Sequence, residues 1–174
     1  MKVEDKKNSK YLTFTMDLQS LLMSPKSNVS SLYYKMKLSI HNLTFFNLET
    51  KDGFCFLWNE SEGSLSSNEF ASITSSLVLS LLPLPEGKEK IILFSDGCSY
   101  QNRSTNISNA LLHIAVTKQI VIEQKYLEVG HTQMEADSIH STIERRLRHK
   151  NINVPADYIV VVKEARMAQP YSVE

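Results

Sequence analysis

Apolar and polar positions alternate early in the chain. Tyr11-Leu12-Thr13-Phe14-Thr15-Met16-Asp17-Leu18 is rich in strand formers and predicts a first strand with Asp17 near its end. The ten residues before it, with Lys2, Lys6, Lys7 and Lys10, predict a flexible basic leader. Ser24 to Ser31, with Pro25, is polar and predicts a loop. Met36, Leu38 and Ile40 then alternate with Lys37, Ser39 and His41 in the manner of a half-buried strand, continued or restarted through Leu43 to Leu48. Lys51-Asp52-Gly53 predicts a tight hairpin, because Asp-Gly readily supplies positive φ, and Phe54 to Trp58 is the returning strand.

From Ser66 onward the period changes from two to that of a helix. Ser66 fits an N-cap, Glu69 is spaced as its capping-box partner, and Leu65 with Phe70 fits a hydrophobic staple. Phe70, Ile73, Leu77, Val78 and Leu81 continue at helical spacing until Pro83 and Pro85 stop it. Lys90 to Ser95 is a short apolar run suited to a strand buried on both faces, ending at Asp96-Gly97. Ile107, Leu111, Ile114 and Ala115 predict a second helix, Ile120 to Val129 a fifth strand, and Met134, Ile139, Ile143 and Leu147 a third helix. That helix ends in Arg145, Arg146, Arg148 and Lys150, which complement the helix dipole. Tyr158 to Val162 is open: Pro155 suits a first helical turn, whereas the β-branched residues favour a strand.

Composition narrows the class. A chain of 174 residues with 42% hydrophobic and 22% charged residues is an ordinary globular domain rather than a disordered one, and residues 11–174 are expected to form a single domain. Lys plus Arg and Asp plus Glu both number 19, which argues against a protein whose main task is coating nucleic acid or an anionic membrane. The 7 basic and 3 acidic residues of 1–48 nevertheless contrast with the 3 basic and 8 acidic residues of 49–96. Two cysteines make neither a disulfide framework nor a zinc site by themselves, and no basic-then-apolar leader opens the sequence. An intracellular protein, nuclear or cytoplasmic, is expected, with no membrane partner, because no apolar run approaches the ~20 residues of a membrane span.

The predicted order βββαβαβα, a mixed sheet of about five strands with a short C-terminal extension, is that of the ribonuclease H-like α/β fold of integrases, transposases and ribonucleases. In that fold acids on the first strand, after the fourth strand and on the last helix converge on two divalent metals, and some nucleases add a glutamate from the first helix. The matching residues are Asp17, Asp96, Asp137 and Glu69. As metal ligands, with Asp17, Asp96 and Asp137 catalytic, they would take Mg²⁺ or Mn²⁺, hard cations that suit carboxylate oxygens.

Several blocks carry a closer resemblance. They include Ser95-Asp96-Gly97-Cys98-Ser99-Tyr100-Gln101-Asn102-Arg103, Gly130-His131-Thr132-Gln133-Met134-Glu135-Ala136-Asp137-Ser138-Ile139-His140-Ser141, Leu57-Trp58-Asn59-Glu60 and Val154-Pro155-Ala156-Asp157-Tyr158. Together, across roughly residues 11–172, they resemble an arthropod-rich, transposon-derived domain of unknown function that usually forms the C-terminal part of longer proteins. One departure stands out: Gly63-Ser64-Leu65-Ser66-Ser67-Asn68-Glu69 lacks the basic residue and glycine that relatives often carry there. The resemblance implies metal-dependent phosphodiester cleavage or strand transfer, or a catalytically silent binding or assembly module of the same fold. Arg103 and the Arg145, Arg146 and Arg148 cluster are the expected phosphate contacts, with weak, salt-sensitive binding.

Ordinary structural roles compete at each position. A capping box accounts for Glu69, an acid near a helix N-terminus accounts for Asp137, and a turn accounts for Asp96. Asp137, His140 and Glu144 sit at i, i+3 and i+7, sharing a face away from Met134, Ile139 and Ile143, and Glu144 is the substitute third acid. His131 and His140 are candidates for proton transfer. A Cys98 thiol nucleophile and a zinc site from Cys98, His131 and His140 lack any motif to support them.

Overall fold

The computed structural model describes residues 4–5, 8–27, 36–99, 101–128 and 134–174. Strands β1 (Tyr11–Leu18), β2 (Leu22–Ser24), β3 (Leu38–Asn47), β4 (Gly53–Asn59), β5 (Lys90–Ser95), β6 (Val121–Tyr126) and β7 (Ser172–Val173) form one mixed sheet. Its order is β6-β5-β1-β3-β4-β7, with β2 paired to β3. Among the described residues four helices of nine residues or more accompany it: α1 (Ser67–Ser80), α2 (Thr105–Lys118), α3 (Ala136–Leu147) and α4 (Ala156–Glu164). The five principal strands and first three helices follow the order expected from the sequence, and the fold is α/β of the ribonuclease H-like kind. The short strands β2 and β7 are additional, because strands of three and two residues carry too few positions to display a period.

By their contacts the residues group into two compact units. The first comprises residues 1–16, 47–51 and 65–134. Here β5 pairs in parallel with β1, Tyr11 opposite Lys90 through Thr15 opposite Phe94, and with β6 on its other side. Ile91, Ile92, Leu93 and Phe94 are all buried, as a strand covered on both faces requires. Helix α1 packs on α2. Ser66 caps α1, accepting from the N–H of Asn68 at 3.3 Å and donating its hydroxyl to Glu69. Phe70, Leu77 and Val78 are buried, whereas Leu65 stays 40% exposed.

The second unit comprises residues 17–46, 52–64 and 135–174. Strands β3 and β4 pair antiparallel from Ile40 opposite Asn59 to Phe46 opposite Gly53. The expected positive φ is absent at Gly53 and occurs instead at Lys51, with φ 64°. Gly53 has a different task. A Cβ there would stand 2.5 Å from Cδ1 of Ile139 and 2.7 Å from Cδ1 of Tyr171, so the missing side chain lets β4 and α3 approach closely. Ile139, Ile143 and Leu147 of α3 join Leu22, Ile40, Cys55, Tyr158, Val161 and Val162 in one buried cluster.

The open segment Tyr158 to Val162 is helical. Tyr158, Val161 and Val162, at i, i+3 and i+4, bury one helical face, which outweighs their β propensity. The carboxylate of Asp157 accepts from the N–H of Asn153 at 2.8 Å and of Val154 at 3.1 Å, fixing the helix start. No helix among the described residues is long and apolar enough to cross a membrane.

Candidate metal centre

Asp17 lies in the last turn of the pleat of β1, after the buried run Leu12 to Met16. The strand's exit is held to β3 by a reciprocal pair: the Gln19 N–H donates to the Asn42 carbonyl at 3.0 Å, and Asn42 Nδ2 donates to Gln19 Oε1 at 2.9 Å. Both side chains are buried, so Asp17 is fixed from the residue two positions on.

The partner groups come from the first turn of α3. Asp137 and His140, at i and i+3, rise on one side of that helix. Asp17, Asp137 and His140 each offer a ligand atom, and these atoms all lie within 4.8 Å of one another. This group can hold a metal ion. Asp17 is half-buried, Asp137 exposed and His140 only 8% exposed.

The burial of His140 departs from the sequence expectation of an outward polar stripe. At 3.6 residues per turn, position 140 lies only ~60° around the helix from Ile143, so it flanks the buried face. Burial pushes its pKa down to about 4, against the opposing pull of Asp137 and Glu144. The imidazole is therefore neutral at pH 7. Its Nδ1 stands 3.9 Å from Asp17 Oδ2, beyond hydrogen-bond reach, and its buried Nε2 has no hydrogen-bond partner among the described residues.

The other expected site residues are placed as follows. Asp96 and Glu69 belong to the first unit. Asp96 is an anchor for its own loop: Oδ1 accepts from Asn102 Nδ2 at 2.5 Å and from the Cys98 N–H at 3.4 Å. Asn102 is buried, and its carbonyl accepts from Gln124 Nε2 at 3.3 Å and Tyr126 Oη at 3.2 Å, which ties the loop to β6. Glu69 accepts the hydroxyl of Ser66 at the start of α1, the capping position. Glu144 is exposed on α3 and accepts from Ser20 Oγ at 3.3 Å. His131 lies outside the described residues.

Among the arginines, Arg103 is exposed with its guanidinium 5.7 Å from the Tyr126 ring centre. Arg145 is exposed, and Arg146 pairs with Glu164 of α4 at 3.1 Å. Arg148 lines a recess of about 410 Å³ with Ser20, Lys26, Lys37 and Glu144. Lys26 donates to the Leu147 carbonyl at 2.8 Å, neutralising the C-terminal end of α3. The sequence signal for His140 as part of the metal group was its i+3 spacing from Asp137; the signal for Lys26 and Lys37 was absent, because both come from segments distant in sequence from α3.

The chain thus defines an α/β protein of ribonuclease H-like fold with a carboxylate and imidazole group able to take a metal ion. No family model matches the chain, and no curated protein is significantly similar to it.

Proposed function

We propose that this chain is a transposon-derived, ribonuclease H-like domain that performs, or descends from one that performed, phosphodiester cleavage or strand transfer with Mn²⁺ or Mg²⁺. The observation that carries the reading is the convergence of Asp17, Asp137 and His140 within 4.8 Å. Asp17 and Asp137 supply hard carboxylate oxygens, and the neutral imidazole of His140 supplies a nitrogen lone pair. A divalent cation held there contributes Lewis-acid relief of the negative charge on a phosphodiester. Lys26, Lys37 and Arg148 border the neighbouring recess in the same unit and fit the contacts that position a phosphate backbone.

The test is a cleavage assay of the purified chain on single- and double-stranded DNA, RNA and hybrid substrates in Mn²⁺ or Mg²⁺. Cleavage lost in both Asp17→Asn and Asp137→Asn supports the reading. Equal activity in those variants, or no activity on any substrate, overturns the catalytic form of it.

A second reading, the silent binding or assembly module, is favoured by one observation. Asp96, the acid that the resemblance makes a ligand, has an oxygen committed to Asn102 and the Cys98 N–H. Metal binding without cleavage is the outcome that selects it.

A further inference from the structure

The donor set itself discriminates among cations. Mg²⁺ favours an all-oxygen octahedron and keeps several waters, whereas imidazole nitrogen suits first-row transition ions. A group of two carboxylates and one imidazole is therefore biased away from Mg²⁺. Its size is also informative. Three ligands of one ion at ~2.0–2.2 Å stand at most ~3.8 Å from one another when evenly spread, so atoms within 4.8 Å of one another close by roughly 1 Å to take it. Three ligand atoms gathered in this way can hold one ion.

The third observation concerns His140. It is 8% exposed, its Nδ1 faces Asp17 Oδ2 across 3.9 Å, and its Nε2 has no hydrogen-bond partner among the described residues. A buried polar group left in this way is less stable than one that is satisfied. Coordination uses one ring nitrogen as a lone-pair donor, and the other then carries the hydrogen.

We propose that Asp17, Asp137 and His140 form a single-ion site selective for a first-row transition cation, Mn²⁺ or Zn²⁺, over Mg²⁺. The proposal rests on the metal-dependent reading above for the location of the site and is independent of whether the chain cleaves anything. Selectivity resides in His140, and capacity to bind at all resides in the two aspartates.

Electron paramagnetic resonance of Mn²⁺ titrated into the full chain, with Mg²⁺ as competitor, tests it. Mn²⁺ is expected to bind at least about tenfold more tightly than Mg²⁺. His140→Ala is expected to remove that preference, and Asp17→Asn to abolish binding of both ions. Because His140 is buried, His140→Asn is measured alongside, with circular dichroism to establish folding. It replaces nitrogen by an amide oxygen and is expected to narrow the preference likewise. Equal competition by Mg²⁺, an unchanged preference in both folded His140 variants, or Mn²⁺ binding retained in Asp17→Asn overturns the proposal. Mn²⁺ binding with no cleavage removes the catalytic reading and leaves this one standing.

Discussion

The two cysteines show how placement decides a residue's chemistry. Cys55 is 1% exposed in β4, and burial pushes its thiol up to about 12, although hydrogen bonds to Thr44 and Asn42 pull the other way. Its thiolate is negligible at neutral pH. Cys98 is half-buried in the loop anchored by Asp96. Iodoacetamide applied to the native protein is therefore expected to modify Cys98 and leave Cys55 intact until denaturant is added, as read by peptide mass spectrometry. Equal native labelling of both contradicts the burial of Cys55. Cys98 was conspicuous in the sequence because it follows Asp96, whereas nothing in the local sequence distinguished Cys55 as inert. The same holds for His140, whose spacing from Asp137 was legible but whose burial was not.

At the scale of elements, the close approach at Gly53 governs how α3 carries Asp137 and His140. Gly53→Ala places a methyl within contact of Ile139 and Tyr171, both buried, and such overpacking costs about 1–3 kcal/mol. Thermal or urea unfolding should register that loss. Ile139→Val removes the Cδ1 that would stand 2.5 Å from the new carbon, so the double variant should recover part of it. A Gly53→Ala protein as stable as the original means that β4 and α3 are not so tightly packed. The hairpin was legible from Asp52-Gly53, yet the reason for the glycine was not, because its constraint comes from residues 86 and 118 positions further along. Helix α4 is the converse case. Its β-branched residues left the segment open, and burial of Tyr158, Val161 and Val162 on one face decided it.

For the molecule as a whole, zero formal charge says little about pH behaviour, which follows from particular groups. His41, 7% exposed and beside the Trp58 ring at 5.2 Å, has its pKa lowered by burial, with Glu60 opposing. The unfolded chain binds the proton more readily, so stability is full above the ordinary value of 6.5 and falls as pH drops below it. His140 contributes with the same sign, down to about 4. Unfolding free energy measured between pH 7.5 and about 5 should therefore fall, and a folded His41→Gln variant should show a shallower, still positive slope. An unchanged slope removes His41 from the account.

What the sequence determined by itself was local and periodic. Alternation placed β1 and β3, the Asp52-Gly53 turn placed β4, and a continuous apolar run placed β5; the 3.6-residue period placed α1, α2 and α3, with a cap signal at α1. These follow from short-range sterics and from which face of an element must leave water. The order of those elements was enough to reach the ribonuclease H-like class. The tertiary structure decided what depends on residues far apart in the chain: Asp17 beside Asp137 and His140, Lys26 on the carbonyl of Leu147, Gly53 against Ile139, and a helix rather than a strand at Tyr158. A carboxylate near a strand end looks the same in sequence whether it anchors a loop, as Asp96 does, or converges with others, as Asp17 does. Only the packing of α3 through Ile139, Ile143 and Leu147 brings the second and third ligands to it.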